Sequence, residues 1–144
     1  MMTCPTILLV DDSPGERELF GVALRETQFS GTLLTADGGR TALAQLVALP
    51  DGTTPAVLLL DLKLRGETGL DLLRTLRNDA RWAPLPVVIL TTSDDPGDIQ
   101  ASYRAGANGY VVKPSRLEDL TTVVRALCTY WVGCNCHAST RHAC

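Results

Sequence analysis

The sequence predicts an α/β domain: a doubly wound, five-stranded parallel sheet with helices on both faces. Three observations carry this. Short apolar runs of four or five residues recur along the 144 residues, and helical patterns separate them. Strand and helix alternate five times, the order expected of a parallel sheet built from βαβ units. The runs are also continuous rather than alternating, most clearly in Ala56-Val57-Leu58-Leu59-Leu60, as strands covered on both faces should be.

The first strand is Thr6-Ile7-Leu8-Leu9-Val10, ending on Asp11-Asp12. Ser13-Pro14-Gly15-Glu16 supplies an N-cap, a proline at the first helical position and an acid three residues after the cap, so a helix should run to about Glu26. Leu19, Val22 and Ala23 are its expected core face. Gly31–Thr35 reads as the second strand, and the following helix spans Thr41 to Val47 with Ala42, Leu43 and Leu46 inward. Leu49–Pro55 is a loop by its turn residues. The third strand ends on Asp61, and Gly66 and Gly69 turn the chain sharply into a helix over Gly69–Arg77 that faces inward with Leu70, Leu73 and Leu76. Val87-Val88-Ile89-Leu90 is the fourth strand and ends on Thr91. Asp95-Pro96-Gly97-Asp98 opens a helix that Gly106 stops. Gly109–Val112 is the fifth strand, closing on Lys113-Pro114. Ser115-Arg116-Leu117-Glu118 reads as a capping box for a last helix reaching about Trp131.

Composition narrows the function classes. The chain is 45% hydrophobic and 20% charged with a net charge of −3, which suits a globular domain and not a nucleic-acid binder. No run approaches the roughly 20 apolar residues of a membrane span, and no signal peptide is visible, so a cytoplasmic location is expected. Of five cysteines, Cys128, Cys134, Cys136 and Cys144 fall near the end. With His137 and His142 they match no familiar structural zinc spacing, and the tail reads as reduced thiols with solvent-facing histidines.

The chemistry lies at the strand ends. In a doubly wound sheet these lie side by side, where ligands bind. Asp11, Asp12 and Asp61 would converge there, and crowded carboxylates call for a cation. Hard oxygen ligands with water filling the rest describe Mg²⁺. Thr91 and Lys113 facing that cluster would suit a phosphoryl group, and a carboxylate can be its nucleophile. The plainer alternatives are a dipole-favouring pair at Asp11-Asp12, a strand-end threonine bonding the backbone and a solvated loop lysine. They explain each residue singly but not the set.

With Asp11-Asp12, Asp61, Gly69, Thr91 and Tyr110-Val111-Val112-Lys113-Pro114 in place, the chain resembles a response-regulator receiver domain of two-component signalling. The likeness covers nearly its whole length. Leu90-Thr91-Thr92-Ser93, Asp98-Ile99, Gly106-Ala107-Asn108 and Tyr130-Trp131 further resemble the single-domain receivers that accompany bacterial phytochrome histidine kinases. The resemblance implies the flavodoxin-like strand order 2-1-3-4-5, a receiver domain over residues 1–132 and a flexible tail over 133–144. It also implies that Asp61 takes a phosphoryl group from a phosphohistidine of a sensor kinase. Asp12 would bind Mg²⁺ directly and Asp11 largely through water, with Asp61 and the Lys63 carbonyl as further ligands. Thr91 and Lys113 would contact the phosphoryl oxygens, and Tyr110 would be an aromatic switch moving with Thr91. The protein would then be a phosphoacceptor and not an enzyme beyond its own phosphorylation and dephosphorylation. It would signal through the surface of the fourth helix, fifth strand and fifth helix.

Two residues depart from the family pattern. Arg65 stands where a proline is usual, which should loosen the turn, and Lys63 stands at the site mouth two residues past the acceptor, where it should alter phosphoryl lifetime. Lys63 also weighs against the rival reading, a haloacid-dehalogenase-type phosphatase, which needs a second Asp there as general acid. An FMN binder of the same sheet order would want a phosphate loop after the first strand, where this chain has acids. Finally, the last helix has a broad apolar face. Leu117, Leu120, Val124, Leu127 and Trp131 form the stripe, widened by Val123 and Tyr130 on one flank and Cys128 on the other. A homodimer through this helix and the fifth strand is the expected cover.

Overall fold

The computed structural model of the chain describes residues 4–138. Five parallel strands, β1 (Thr6–Val10), β2 (Thr32–Ala36), β3 (Val57–Leu60), β4 (Val87–Thr91) and β5 (Gly109–Val112), form one sheet. Their order is β2-β1-β3-β4-β5, so the chain winds outward in both directions from β1 and β3 as the resemblance implied. Five α-helices cross between or follow them: α1 (Pro14–Glu26), α2 (Gly39–Val47), α3 (Gly69–Arg77), α4 (Pro96–Arg104) and α5 (Leu117–Leu127). A π-helical stretch, Cys128–Cys134, prolongs α5. None of the helices described is long and apolar enough to cross a membrane.

Side-chain alternation along the strands divides the core in two. Ile7, Leu9, Val57, Leu59, Val88 and Leu90 face α1 and α5, whose Phe20, Ala23, Leu24, Leu120, Val124 and Leu127 cover them. Leu8, Val10, Leu58, Leu60, Val87 and Ile89 point the other way, toward Ala42 and Leu46 of α2 and Leu72, Leu73 and Leu76 of α3. Helix α4 differs from the rest: its single buried residue is Ser102, whose hydroxyl donates to the Asp98 carbonyl at 2.7 Å.

Several local expectations are corrected. Helix α1 is rotated by one position, burying Phe20, Ala23 and Leu24 while Leu19 is 46% exposed. Helix α3 buries Leu72, with Leu70 only partly covered. Ser115 does not cap α5: Arg116 holds the N-cap position without a side-chain bond, and Glu118 and Asp119 in the first turn offset the helix dipole instead. The α-helix stops at Leu127 rather than Trp131. Leu117 is exposed, whereas Val123 and Cys128, read as surplus apolar surface, pack partly against the α1/α5 core. His137, expected to face solvent, is half-buried with its Nε2 3.2 Å from the Ala56 carbonyl oxygen. His142 and Cys144 lie outside the described residues.

Ser13 and Asp95 do cap α1 and α4, accepting from the backbone N–H of Glu16 and Gly97. At the opposite end of the sheet from the acids, Arg77 gathers three segments. Its guanidinium donates to the carbonyls of Gly106, Ala83 and Leu85 and to Asn108 Oδ1, while that same Oδ1 accepts from Val87 N–H. Burial lowers the Arg77 pKa from its ordinary value, but its four acceptors keep the charge useful. Arg77→Met strands these carbonyls and should lower unfolding stability by about 2 kcal/mol in urea denaturation. A loss below a few tenths would mean that water replaces the guanidinium at no cost.

Candidate functional site

The site is set by the last rungs of the sheet. One residue beyond each strand the ladder continues: Asp11 N–H donates to Ala36 O at 3.0 Å, Asp61 N–H to Val10 O at 3.0 Å and Lys113 N–H to Thr91 O at 2.7 Å. These bonds hold the three backbones in register, so their side chains emerge together at the carboxyl edge of β1, β3 and β5.

There Lys113 Nζ lies between two carboxylates, donating to Asp11 Oδ2 at 2.6 Å and to Asp61 Oδ2 at 2.9 Å. All three side chains are largely withdrawn from water, Lys113 at 8%, Asp11 at 3% and Asp61 at 12% exposure. Burial pulls the Lys113 pKa down, but the hydrogen bonds and charges of Asp11 and Asp61 outweigh it and hold the ammonium above the ordinary lysine value of 10.5. The other Asp61 oxygen, Oδ1, accepts from the Thr91 hydroxyl at 3.0 Å and from Lys63 N–H at 3.1 Å. Asp11 is steadied separately. Its Oδ1 accepts from Ser13 N–H, and Arg17 of α1 donates to its carbonyl at 2.7 Å.

Next to Thr91, the Tyr110 hydroxyl donates to the Ser93 carbonyl at 2.8 Å, and Ser93 Oγ donates to Asp98 Oδ2 at 2.6 Å. Burial, followed by the charges of Asp98, Asp95 and Asp94, pushes the Tyr110 hydroxyl up against a Ser93 hydrogen bond that acts the other way, so it stays a donor at neutral pH. The Thr91–Ser93 segment is thus tied to Asp61 at one end and to both β5 and α4 at the other.

After Asp61 the chain closes into a two-residue antiparallel ribbon, with Lys63 paired to Thr68 and Leu64 to Glu67. Arg65 and Gly66 form its tip, with Gly66 at φ +76° taking the left-handed position that closes the turn. Gly69 then presses on the acceptor strand. A Cβ there would lie 2.2 Å from the Asp61 carbonyl oxygen, a contact only glycine permits.

The donor set suits a hard divalent cation. Two carboxylates already converge on one cation, with the Thr91 hydroxyl oxygen against Asp61. Asp12 is half-buried and lies outside the Lys113 bridge, and no three Asp, Glu, His or Cys side chains among the described residues form a ready-made cage. The crowding of three carboxylates expected from sequence is therefore two, with a third beside them. Mg²⁺ takes one or two carboxylates and several waters, so the set fits that ion. The structure brings together Asp11, Asp61, Thr91 and Lys113, with Lys63 contributing its backbone. Sequence reasoning missed Arg17, Glu67 and Arg77. Each bonds backbone groups from 6 to 29 residues away, and no local pattern announces such a partner.

A groove of about 560 Å³ opens beside the site, lined by Glu16, Leu19, Thr92, Pro114, Arg116 and Leu117 among others. Its two exposed leucines, Leu19 and Leu117, are the ones expected in the core.

The comparisons agree with this geometry. The family model described as the response regulator receiver domain matches residues 7–125. Response regulator Rcp1 of Synechocystis sp. is 31% identical over 129 residues, 88% of each chain. The probable methanogenesis regulatory protein FilR2 of Methanothrix harundinacea is 34% identical over 90% of this chain and 84% of its own. Among solved structures, the phosphorylated cyanobacterial phytochrome response regulator RcpA superposes with a TM-score of 0.85 at 28% identity, covering 95% of this chain and 100% of its own. The Mn²⁺-bound form of Rcp1 gives 0.80 at 29%, covering 94% and 99%.

Lys113→Met removes the cation between Asp11 and Asp61 and should cost about 3 kcal/mol in metal-free chemical denaturation. Mg²⁺ should then raise the thermal midpoint of the variant more than that of the wild type. Because Lys113 is raised in the folded state, its contribution is complete below the unfolded lysine pKa and is lost as pH climbs through the folded one. Wild-type stability should therefore fall more steeply above about pH 10.4 than that of Lys113→Met. Parallel curves would contradict the bridge.

Proposed function

The chain belongs to the response-regulator receiver family, and from that premise we propose that it is a single-domain response regulator accepting a phosphoryl group on Asp61 from a sensor histidine kinase. One observation carries this: both Asp61 oxygens are met by donors, Thr91 and Lys63 N–H on one and Lys113 on the other, all within 3.1 Å. A carboxylate so surrounded is oriented at its strand end.

In the proposed step an Asp61 oxygen attacks the phosphorus of a phosphohistidine. The O–P bond forms as the P–N bond breaks, and the imidazole leaves with the bonding pair and takes a proton. Lys113, its charge secured by Asp11, neutralises negative charge on the transferred group, and the Thr91 hydroxyl turns from Asp61 to a phosphoryl oxygen. Mg²⁺ held by Asp12, Asp11, Asp61 and the Lys63 carbonyl would supply the remaining charge neutralisation. Support for a divalent ion comes from the donor set and from the Mn²⁺-bound Rcp1 structure. The phosphorylated state of RcpA supports the transfer. The phosphatase reading has no support, since the residue two past Asp61 is the exposed Lys63 and no acid stands there.

The partner we propose is a cytoplasmic bacterial phytochrome kinase or a close relative, docked as a helical surface in the groove flanked by Leu19 and Leu117. When Thr91 moves, the Ser93 carbonyl moves with it and Tyr110 must follow, so the signal leaves through α4, β5 and α5. Residues 1–132 would be the signalling unit. A homodimer through α5 and the β5 edge fits the exposure of Val112 and Tyr130.

With acetyl phosphate and Mg²⁺, intact mass should show one phosphoryl group on the wild type and none on Asp61→Asn, because an amide is a poor nucleophile. Uptake by that variant would move the acceptor elsewhere. Calorimetric titration should show Asp12→Ala weakening Mg²⁺ binding about tenfold, with Thr91→Ala near wild type, since the hydroxyl meets the phosphoryl group and not the ion. Equal losses would contradict this division.

For the dimer, light scattering at micromolar concentration should give twice the chain mass, and Val112→Glu with Tyr130→Glu, both at exposed positions, should halve it. A wild type monomeric with and without phosphoryl group would end the dimer proposal.

A further inference from the structure

Helix α2 begins without a side-chain cap of its own, because its N-cap is Gly38. The first N–H of the helix, that of Gly39, instead donates to Glu67 Oε1 at 2.8 Å, 28 residues further along the chain. Gly39 is buried beneath that carboxylate, and a Cβ on it would come 2.5 Å from Oε1. A glycine at one end and an acid at the other therefore fit each other. The acid lies at the positive end of the helix, where a negative charge is favoured.

Glu67 sits in the outer strand of the ribbon after Asp61, opposite Leu64 in the strand that also carries Lys63. Lys63 N–H donates to Asp61 Oδ1. The ribbon has three other anchors: the Gly69 N–H bond to the Leu62 carbonyl at its base, the buried Leu64 side chain, and the Thr68 N–H bond to Asp71 Oδ2 of α3 at 3.3 Å. Each of them ties the ribbon to α3 or to the core, whereas Glu67 ties it to α2. The structure assigns Glu67 a positioning role: its carboxylate straps the acceptor ribbon to the N-terminus of α2 and so fixes the Lys63 backbone against Asp61. As far as it concerns phosphoryl transfer and metal, this assignment rests on the reading of Asp61 as the acceptor.

The test uses the full chain in wild-type, Glu67→Ala, Glu67→Gln and Gly39→Ala forms. Amide hydrogen exchange by NMR and calorimetric titration with Mg²⁺ alone are the readouts, with no phosphodonor present. Glu67→Ala should speed exchange at both Gly39 and Lys63 and weaken Mg²⁺ about fivefold, the scale of one such helix-end interaction. Glu67→Gln keeps an acceptor oxygen and should recover most of the wild-type behaviour. Gly39→Ala should copy Glu67→Ala, and the double variant should be no worse than either single one. Faster exchange at Gly39 alone, with Lys63 and Mg²⁺ affinity as in the wild type, would make Glu67 a mere helix cap and overturn the proposal. Acetyl phosphate labelling is run in parallel. A wild type that takes no phosphoryl group would refute the functional reading, while the exchange data would still decide the strap.

Discussion

The ammonium of Lys113 is the constraint on which the rest of the structure depends. Two carboxylates on adjacent strands, Asp11 and Asp61, are held nearly out of water and would repel each other at that distance. The sheet leaves no freedom to separate them, because each backbone is fixed by a ladder bond one residue past its strand. A cation must therefore stand between them, and among the described residues Lys113 supplies it from just past β5, two strands from β3. Sheet order and site chemistry are in this sense one fact. Any slip in register would move all the charges and leave at least one buried without a partner, which costs more than the bridge itself contributes.

The two layers behind the sheet share out the remaining work. On one face, α1 and α5 lean on each other and on six strand residues, giving a rigid base from which Arg17 reaches the Asp11 carbonyl. On the other, α2 and α3 bury Ala42, Leu46 and Leu73 completely, while α4 contributes a single buried serine. Elements with few buried apolar contacts open most readily. Helix α4 is held instead by polar ties at its ends, Ser93 with Asp98 at the start and the Arg77 contacts with Gly106 just past its end. The Ser93 tie is only two residues from Thr91. A small displacement at Asp61 thus meets first the least firmly packed helix of the domain.

Much of this was legible in the sequence because a parallel strand covered on both faces writes itself as a continuous apolar run, and the residue that ends the run faces the site. Asp11, Asp61, Thr91 and Lys113 could be read this way, as could the caps Ser13 and Asp95, whose partners are two or three residues away. What was illegible depends on distant partners. The pattern of α1 admits two faces one position apart, Leu19-Val22-Ala23 or Phe20-Ala23-Leu24. The choice is made by α5 packing on α1, which a local window does not contain. Ser115 has the right chemistry for a cap, but Lys113 is bound to Thr91 and Pro114 follows, so the helix begins only after Arg116. Glu67 shows the same limit most plainly, since nothing near it in sequence hints at a helix terminus 28 residues back.

The charges at the strand ends also argue for the kind of ion that belongs there. Asp11, Asp12 and Asp61 with Lys113 leave two negative charges unmatched, and the half-buried Asp12 takes no part in the bridge. A monovalent cation would leave the edge negative and would oppose the approach of a phosphoryl donor. A divalent one brings it to neutrality and leaves Lys113 free to face incoming oxygens. On the proposed function the resting bridge would be provisional, the ammonium balancing Asp11 and Asp61 until stronger charges arrive. Lys113 directly follows β5, the strand that holds Tyr110, so release of the ammonium and movement of the aromatic ring would act on one element.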